Sequence, residues 1–416
     1  MTTEPSLGRR ELIALLSMVM AMAALGIDMM LPAFDDIRTT FGMASDSNEV
    51  ARTVTTYFIG IAVAPVFYGI FSDRFGRKPV LYVGGVIYIL GAIGSALAPT
   101  FGLLLVARFV WGIGAAGGRI LTTAVVRDTQ RGDQMARTMS YIMTVFILVP
   151  VLAPALGAIV ASLGSWRLVF WTAALLTAAL LVWSLRLGET LDPDNRQPIR
   201  WAGLKTAIVR LLSQRATLIP LLALMCLMGV MSSYLASSQL LVGELFDRGD
   251  QFPVVFGAVA VVLGAAAFFN GRLVGRVGIR AILGPSAITY LVAGLATVAI
   301  SVSADGSPQF WVFMPALTVA MAMQMLLVPN LNTLAMEPVG DIAGIAAAIL
   351  GSMSTAGGAF MGAIVDQQMG PSVTPLAIAV AGAGVVVTIL VHLLPPAASE
   401  QPPPEPAQSG QLREAR

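Results

Sequence analysis

Twelve runs of mostly apolar residues follow one another along this 416-residue chain. Each has about 20 residues, the length a helix needs to cross a bilayer. They centre near Ala21, Ala62, Gly91, Gly112, Leu152 and Leu175, then near Gly229, Val262, Val292, Met321, Ser352 and Val385. No water reaches the bilayer core to satisfy backbone groups, so such runs span as helices. Composition agrees. Charged residues make up 12% of the chain, about half the usual share, and mean hydropathy is +0.81. So few charges would not coat a soluble protein of this size. The expected fold is therefore all-α and integral to the membrane, with the bilayer as its solvent. The net charge of +2 suggests no nucleic-acid partner. The first run, about Leu12 to Leu31, is too long for a signal-peptide core and lacks a clear small-residue cleavage site, so it reads as the first span.

The longest internal hydrophilic stretch, residues 188–215 with "ETLDPDNRQPIR", divides the chain. Residues 1–187 form one expected six-helix bundle and residues 216–393 a second. Residues 394–416 are proline-rich and polar, with little to bury, and read as a disordered tail. Basic residues set the orientation. With the N-terminus cytoplasmic, nineteen Lys and Arg fall on the cytoplasmic side and four (Arg38, Arg52, Arg167, Arg248) on the other. Both termini and the linker are therefore expected inside.

Gly69 to Lys78 reads G-x-x-x-D-R-x-G-R-K between the second and third runs. Its charges must sit at a membrane face, because charge at the bilayer centre costs about 3 kcal/mol or more per residue. Its two glycines permit tight turning and close approach. The same pattern recurs 202 residues later: Gly69, Arg74, Gly76 and Lys78 match Gly271, Arg276, Gly278 and Arg280, while Asp73 is replaced by Gly275. An offset near half the chain length is expected of two bundles derived from one unit.

Asp28 lies in the outer half of the first run, and an intramembrane carboxylate marks a functional site by default. The bland alternative is a helix-end aspartate reaching the interface or locked to an arginine. Asp35 and Asp36 lie beyond the span and read as solvated. The fourth run carries Arg108 and Arg119, eleven residues apart. That spacing puts them about 20° apart around a helix and roughly 16 Å apart along it, on one face that suits a wet cavity. Arg108 and Asp28 fall at similar depth, so an ion pair between them is one option. Gly112 to Gly118 give that helix a small-residue surface for close packing. The fifth run contains Pro150, Pro154 and Gly157, where proline removes a backbone donor and glycine admits a neighbour. In the second half Gln239, Asn270, Gln324, Asn330 and Asn332 read as bonds between helices. Glu244, Asp247 and Asp366 read as outer-side residues, leaving no deep acid there. The methionines of the first run, Met18, Met20, Met22, Met29 and Met30, suit either a core or a pliable pocket. Cys226 reads as packing and His392 as interfacial. There is no P-loop, no GxSxG and no H-E-x-x-H, so neither enzyme chemistry nor a cofactor or metal is expected.

Taken in order, "LGIDMMLPAFDDI", "FSDRFGRKPVL", "ARFVWGIGAAGG" with "VRD", "VPVLAPALGAIV" and "SWRLVFW" resemble the drug:proton antiporters of the Bcr/CflA type in the major facilitator superfamily. The resemblance covers nearly the whole chain apart from the tail. It implies two six-helix bundles, alternating access, and export of amphiphilic compounds such as chloramphenicol or bicyclomycin against inward proton flow. It implies a monomer in a bacterial inner membrane. By resemblance, Gly69, Asp73, Arg74, Gly76, Arg77 and Lys78 form a conformational latch, with Asp73 near the start of the eleventh helix in the outward-facing state. Arg108 matches an arginine tied to proton coupling, and Pro150, Pro154 and Gly157 match the antiporter signature of the fifth helix. Two positions depart from the pattern: Ala158 stands where a second glycine is usual, and Arg119 where a small or apolar residue is usual. A second buried cation favours neutral or anionic cargo. Other readings are an exporter of an endogenous metabolite and a non-transporting membrane sensor of the same fold.

Overall fold

A computed structural model describes residues 7–44, 47–197 and 201–395. The expected tail lies outside the described residues from 396 onward. The first span is α1 (Arg9–Asp28). Pro32 follows at the start of a short turn, Leu31–Ala33, because proline disfavours helix in the residue before it. The amphipathic α2 (Phe34–Thr40) then caps the bundle. The second span is broken into α3 (Arg52–Val63) and α4 (Pro65–Phe75), which meet at 41°. Pro65 opens α4, where its missing N–H costs nothing. There follow α5 (Arg77–Leu97), α6 (Phe101–Thr129), α7 (Gly132–Ser162) and α8 (Arg167–Trp183).

Within the linker lies α9 (Trp201–Ser213). Leu204, Ala207, Ile208 and Leu211 recur at helical spacing. Ala207 and Leu211 are buried with Leu221, Val339 and Leu350 of the second half. The polar link of the sequence reading is thus partly a helix. The second half comprises α10 (Arg215–Gln239), α11 (Phe252–Val277), α12 (Ile279–Ser303), α13 (Phe310–Met336), α14 (Ala343–Asp366) and α15 (Thr374–His392). Among the described residues eleven helices are long and apolar enough to cross a membrane, and the bent pair makes twelve.

Helices α1, α3, α5, α6, α7 and α8 pack among themselves, as do α10 to α15. The two groups meet where α3 and α4 lie on α14, α7 on α11, and α3 on α10. The outer wall shows Leu90, Val106, Leu175, Phe269 and Trp311, each more than half exposed. Such a surface suits lipid and would be a liability in water. The small-residue stretch of α6 performs as expected, since a Cβ on Gly112 would collide with the Tyr57 carbonyl of α3.

The internal repeat is legible in the backbone. Gly76 adopts φ 104° and ψ 162°, and Gly278 adopts φ 81° and ψ 162°. Both terminate one span and open the next at a left-handed angle that disfavours side chains. Gly69 sits inside α4 with open space beside it, so the tight turn falls to Gly76 alone.

Candidate transport site

Helix α1 ends at Asp28, and the carbonyls of its last turn lack partners within the helix. Arg108 of α6 supplies one. Its Nη1 donates to Gly26 O at 2.7 Å, and its Nε donates to Thr53 O on α3 at 3.1 Å. A cation at a helix C-terminus also meets the negative end of the helix dipole. The guanidinium lies 4.3 Å from the ring centroid of Tyr57 and 4.8 Å from that of Trp111. Two phenols complete the grip on α1: Tyr57 donates to Ala23 O at 3.0 Å and Tyr88 to Met22 O at 2.9 Å.

Arg108 is therefore fully enclosed rather than part of a cavity wall. It does lie level with the end of α1, as its position in the sequence suggested. It makes no ion pair with Asp28; two carbonyls and two rings hold its guanidinium instead. Its Nη2 is nonetheless buried without a hydrogen-bond partner, leaving a spare donor. Asp28 is 3% exposed. Its carboxylate has no ion pair or hydrogen bond among the described residues. It lies within electrostatic reach of Tyr57 and of Tyr234 on α10, a side chain of the other bundle.

Helix α7 closes over this end of α1. A Cβ on Gly157 would collide with Met29 O, the residue after Asp28. Pro150 and Pro154 lie inside the same helix. Arg119, further along α6, is exposed although protein atoms surround it. Its guanidinium has no hydrogen bond or ion pair among the described residues. Met20, Met22, Met29 and Met30 are buried core contacts.

The loop after α4 forms a charge relay. Arg77, buried, donates to Asp73 at 2.5 Å, to Asp128 of α6 at 2.7 Å and to Ser72 at 2.9 Å. Asp73 is thus held within its own bundle here. Arg74 is exposed, and Lys78 donates to Leu185 O at 3.0 Å. Sequence reasoning missed a partner. Glu189, in the linker, accepts from the backbone N–H of Arg77 at 2.9 Å and of Lys78 at 3.1 Å, capping α5. The backbone N–H of Gln197 donates to Asp73 O at 3.0 Å, fastening the linker again.

A second missed cluster joins the bundles at the face opposite the linker. Asp35 is not simply solvated. It pairs with Arg38, which is 1% exposed. Arg38 donates to Gln239 of α10 at 3.1 Å, and Gln239 donates back to Asp35 at 2.8 Å. Glu244 lies 3.9 Å from Arg38. Gln239 and Glu244 are brought together by a π-turn, Leu240–Leu245, whose i→i+5 bonding stacks residues five apart. Of the other polar residues, Asn330 donates to Asn270 at 2.9 Å between α13 and α11, and Gln324 donates to Leu227 O. Asn332 is exposed.

The pattern that defines the Major Facilitator Superfamily matches residues 16–363. The chain belongs to that superfamily. Within it, the chain is 28% identical over 370 residues to a bicyclomycin resistance protein homolog of Haemophilus influenzae, covering 88% of this chain and 91% of that one. It is 30% identical over 283 residues to the multidrug resistance protein MdtL of Escherichia coli, covering 67% and 70%. Among solved superfamily structures, the xylose transporter XylE of E. coli in a partially occluded inward-open conformation matches with a TM-score of 0.74 at 13% identity, over 95% of this chain and 99% of that one. The human organic anion transporter MFSD10 matches with a TM-score of 0.66 at 17% identity, over 94% and 100%. These structures establish the superfamily fold, and the protein is a multi-pass membrane transporter of that fold.

Proposed function

We propose that this protein is a proton-coupled exporter of amphiphilic drugs of the chloramphenicol and bicyclomycin kind, working as a monomer by alternating access. Residues 1–187 and 216–393 are its two moving bundles and residues 188–215 its tether. Both termini and the linker face the cytoplasm of a bacterial cell, so the bonded face lies outside. The names of its relatives support the cargo class. One observation carries the coupling: Asp28 is a buried carboxylate without a partner among the described residues, within electrostatic reach of Tyr234 of the other bundle and beside a helix end capped by Arg108.

A desolvated carboxylate is held either neutral or beside a cation. Protonated Asp28 needs no partner and leaves the turn Leu31–Ala33 after α1 packed against α10. Ionised Asp28 draws on the unpaired Nη2 of Arg108, which pulls on the end of α1 and on the α7 contact at Gly157. Drug entry past Arg119 and proton loss from Asp28 then favour the same rearrangement. The free Arg119 guanidinium favours neutral or anionic cargo over cations. In the opposite conformation Asp73 leaves its bundle for the start of α14, where a helix N-terminus favours an anion.

The test uses purified protein in weak buffer. Addition of chloramphenicol should release protons from the wild type and not from Asp28→Asn. Equal release from both would place the carrier elsewhere. No release from the wild type, with no resistance conferred on an efflux-deficient host, would remove the drug reading.

A further inference from the structure

Asp366, the last residue of α14, read as an ordinary outer-side acid in the sequence. In the structure it is 6% exposed and wedged between the bundles. Its Oδ1 accepts from Ser233 Oγ at 2.6 Å and Ser237 Oγ at 3.1 Å, both on α10, and Thr55 of α3 approaches it. Its backbone carbonyl accepts from Asn48 Nδ2 at 3.1 Å, and the same amide donates to Ser237 Oγ at 2.9 Å. Asn48 belongs to the first bundle and is 8% exposed. The knot therefore closes the face opposite the linker.

The donors do not balance. Asp366 Oδ2 and Asn48 Oδ1 are both buried and both lack a hydrogen-bond donor. Each is an acceptor, and an orphaned buried acceptor costs about 1–3 kcal/mol. Among the described residues no cation pairs with Asp366. Around Asp366, α3 offers Arg52, which pairs with Glu49 of the preceding turn at 3.9 Å, and both are exposed. Arg38 is engaged with Asp35, Gln239 and Glu244, although its Nη2 is buried without a partner, and no ion pair or hydrogen bond joins it to Asp366. The phenols Tyr57 of α3 and Tyr234 of α10 lie on the same two helices and couple to Asp28 instead. The network has two acceptors without donors, and a proton on Asp366 Oδ2 turns one of them into a neutral donor.

We infer that Asp366 is a proton-binding site of the gate between the bundles, which closes when Asp366 is protonated and loosens when it ionises. Once the face opens, water solvates the carboxylate and both orphan acceptors, so the ionised form belongs to the open gate. This site differs from Asp28, which lies at the end of α1 and makes none of these bonds. The inference deepens the reading of the protein as a proton-coupled carrier: an acidic exterior would close the emptied carrier and return it to the inside.

The readout is a distance, so it stands apart from whether any drug moves. Spin labels go on Ala44→Cys and Asp250→Cys, one on each bundle, in a Cys226→Ser background reconstituted in lipid nanodiscs. Double electron–electron resonance is recorded from about pH 8 to about pH 5, the interval in which a perturbed carboxyl group titrates. The closed population should rise as pH falls. Asp366→Asn, permanently neutral and a donor, should stay closed throughout. Ser233→Ala, which removes a donor to the carboxylate, should move closure to higher pH, and it carries the test if Asp366→Asn does not fold. A pH response unchanged in Asp366→Asn, or in Ser233→Ala, would overturn the inference. So would closure that follows sodium concentration at fixed pH, which would make the ligand a metal cation.

Discussion

Arg108 holds the carbonyl of Gly26 at 2.7 Å, two residues before Asp28. The arginine thus ties the fourth span to the terminus of the first at the point where the buried acid projects. Charge coupling and helix packing share one contact, so substitutions there separate into those that change protonation and those that loosen α1.

Asp28→Asn keeps shape and removes the titration. It should abolish drug uptake driven by a pH gradient in inverted vesicles while drug binding survives within a few-fold. Uptake at the wild-type rate would leave Asp28 a structural residue.

Arg108→Lys should fail where a simple charge role would let it succeed. An ammonium is a compact point charge without the planar fork that reaches two carbonyls. Leaving Gly26 O unbonded costs about 1–3 kcal/mol. The variant should melt at lower temperature in detergent than wild type and transport poorly. Unchanged melting would show that the capping bonds matter little.

Gly157→Ala sets a Cβ against Met29 O, a backbone atom that has no rotamer to escape with. Overpacking of this kind costs about 1–3 kcal/mol. Transport should fall sharply, while Ala158→Gly on the same helix should be tolerated. Equal tolerance of both would remove the close approach of α7 from the argument.

Asp73→Asn should leave stability nearly intact. The Asp73 side chain is 44% exposed, and Arg77 retains the more deeply placed Asp128. Half-exposed ion pairs contribute about 0–1 kcal/mol. Efflux should nevertheless drop, because the alternative partner of Asp73 is lost. Full efflux from a well-expressed variant would count against the latch.

The length of the apolar runs made the twelve-span fold legible, because the bilayer admits few other solutions. The repeat of Gly76 at Gly278 was legible too, and the backbone angles agree at both. Depth along helices placed Arg108 level with Asp28, but periodicity could not show that carbonyls and rings would enclose it. Pro65 was visible, yet the run around it read as a single span. The gate was hidden for a different reason. Asn48 meets Asp366 across 318 positions and Arg38 meets Gln239 across 201. Gln239 read as a bond between helices, but nothing local distinguishes Arg38, Asn48 and Asp366 from solvated loop polars until the bundles are docked.

The grip of Glu189 and Gln197 on the loop between α4 and α5 makes the segment between them a fixed part of the first bundle. Where the polypeptide is cut then matters. Two fragments divided after Gln197 should reassemble into an active carrier when co-expressed, because each retains its own contacts. Division before Glu189 would strip the cap from α5 and assign it to the wrong partner. Glu189 and Gln197 thus belong with the first bundle, although hydrophilicity alone would assign both to the tether.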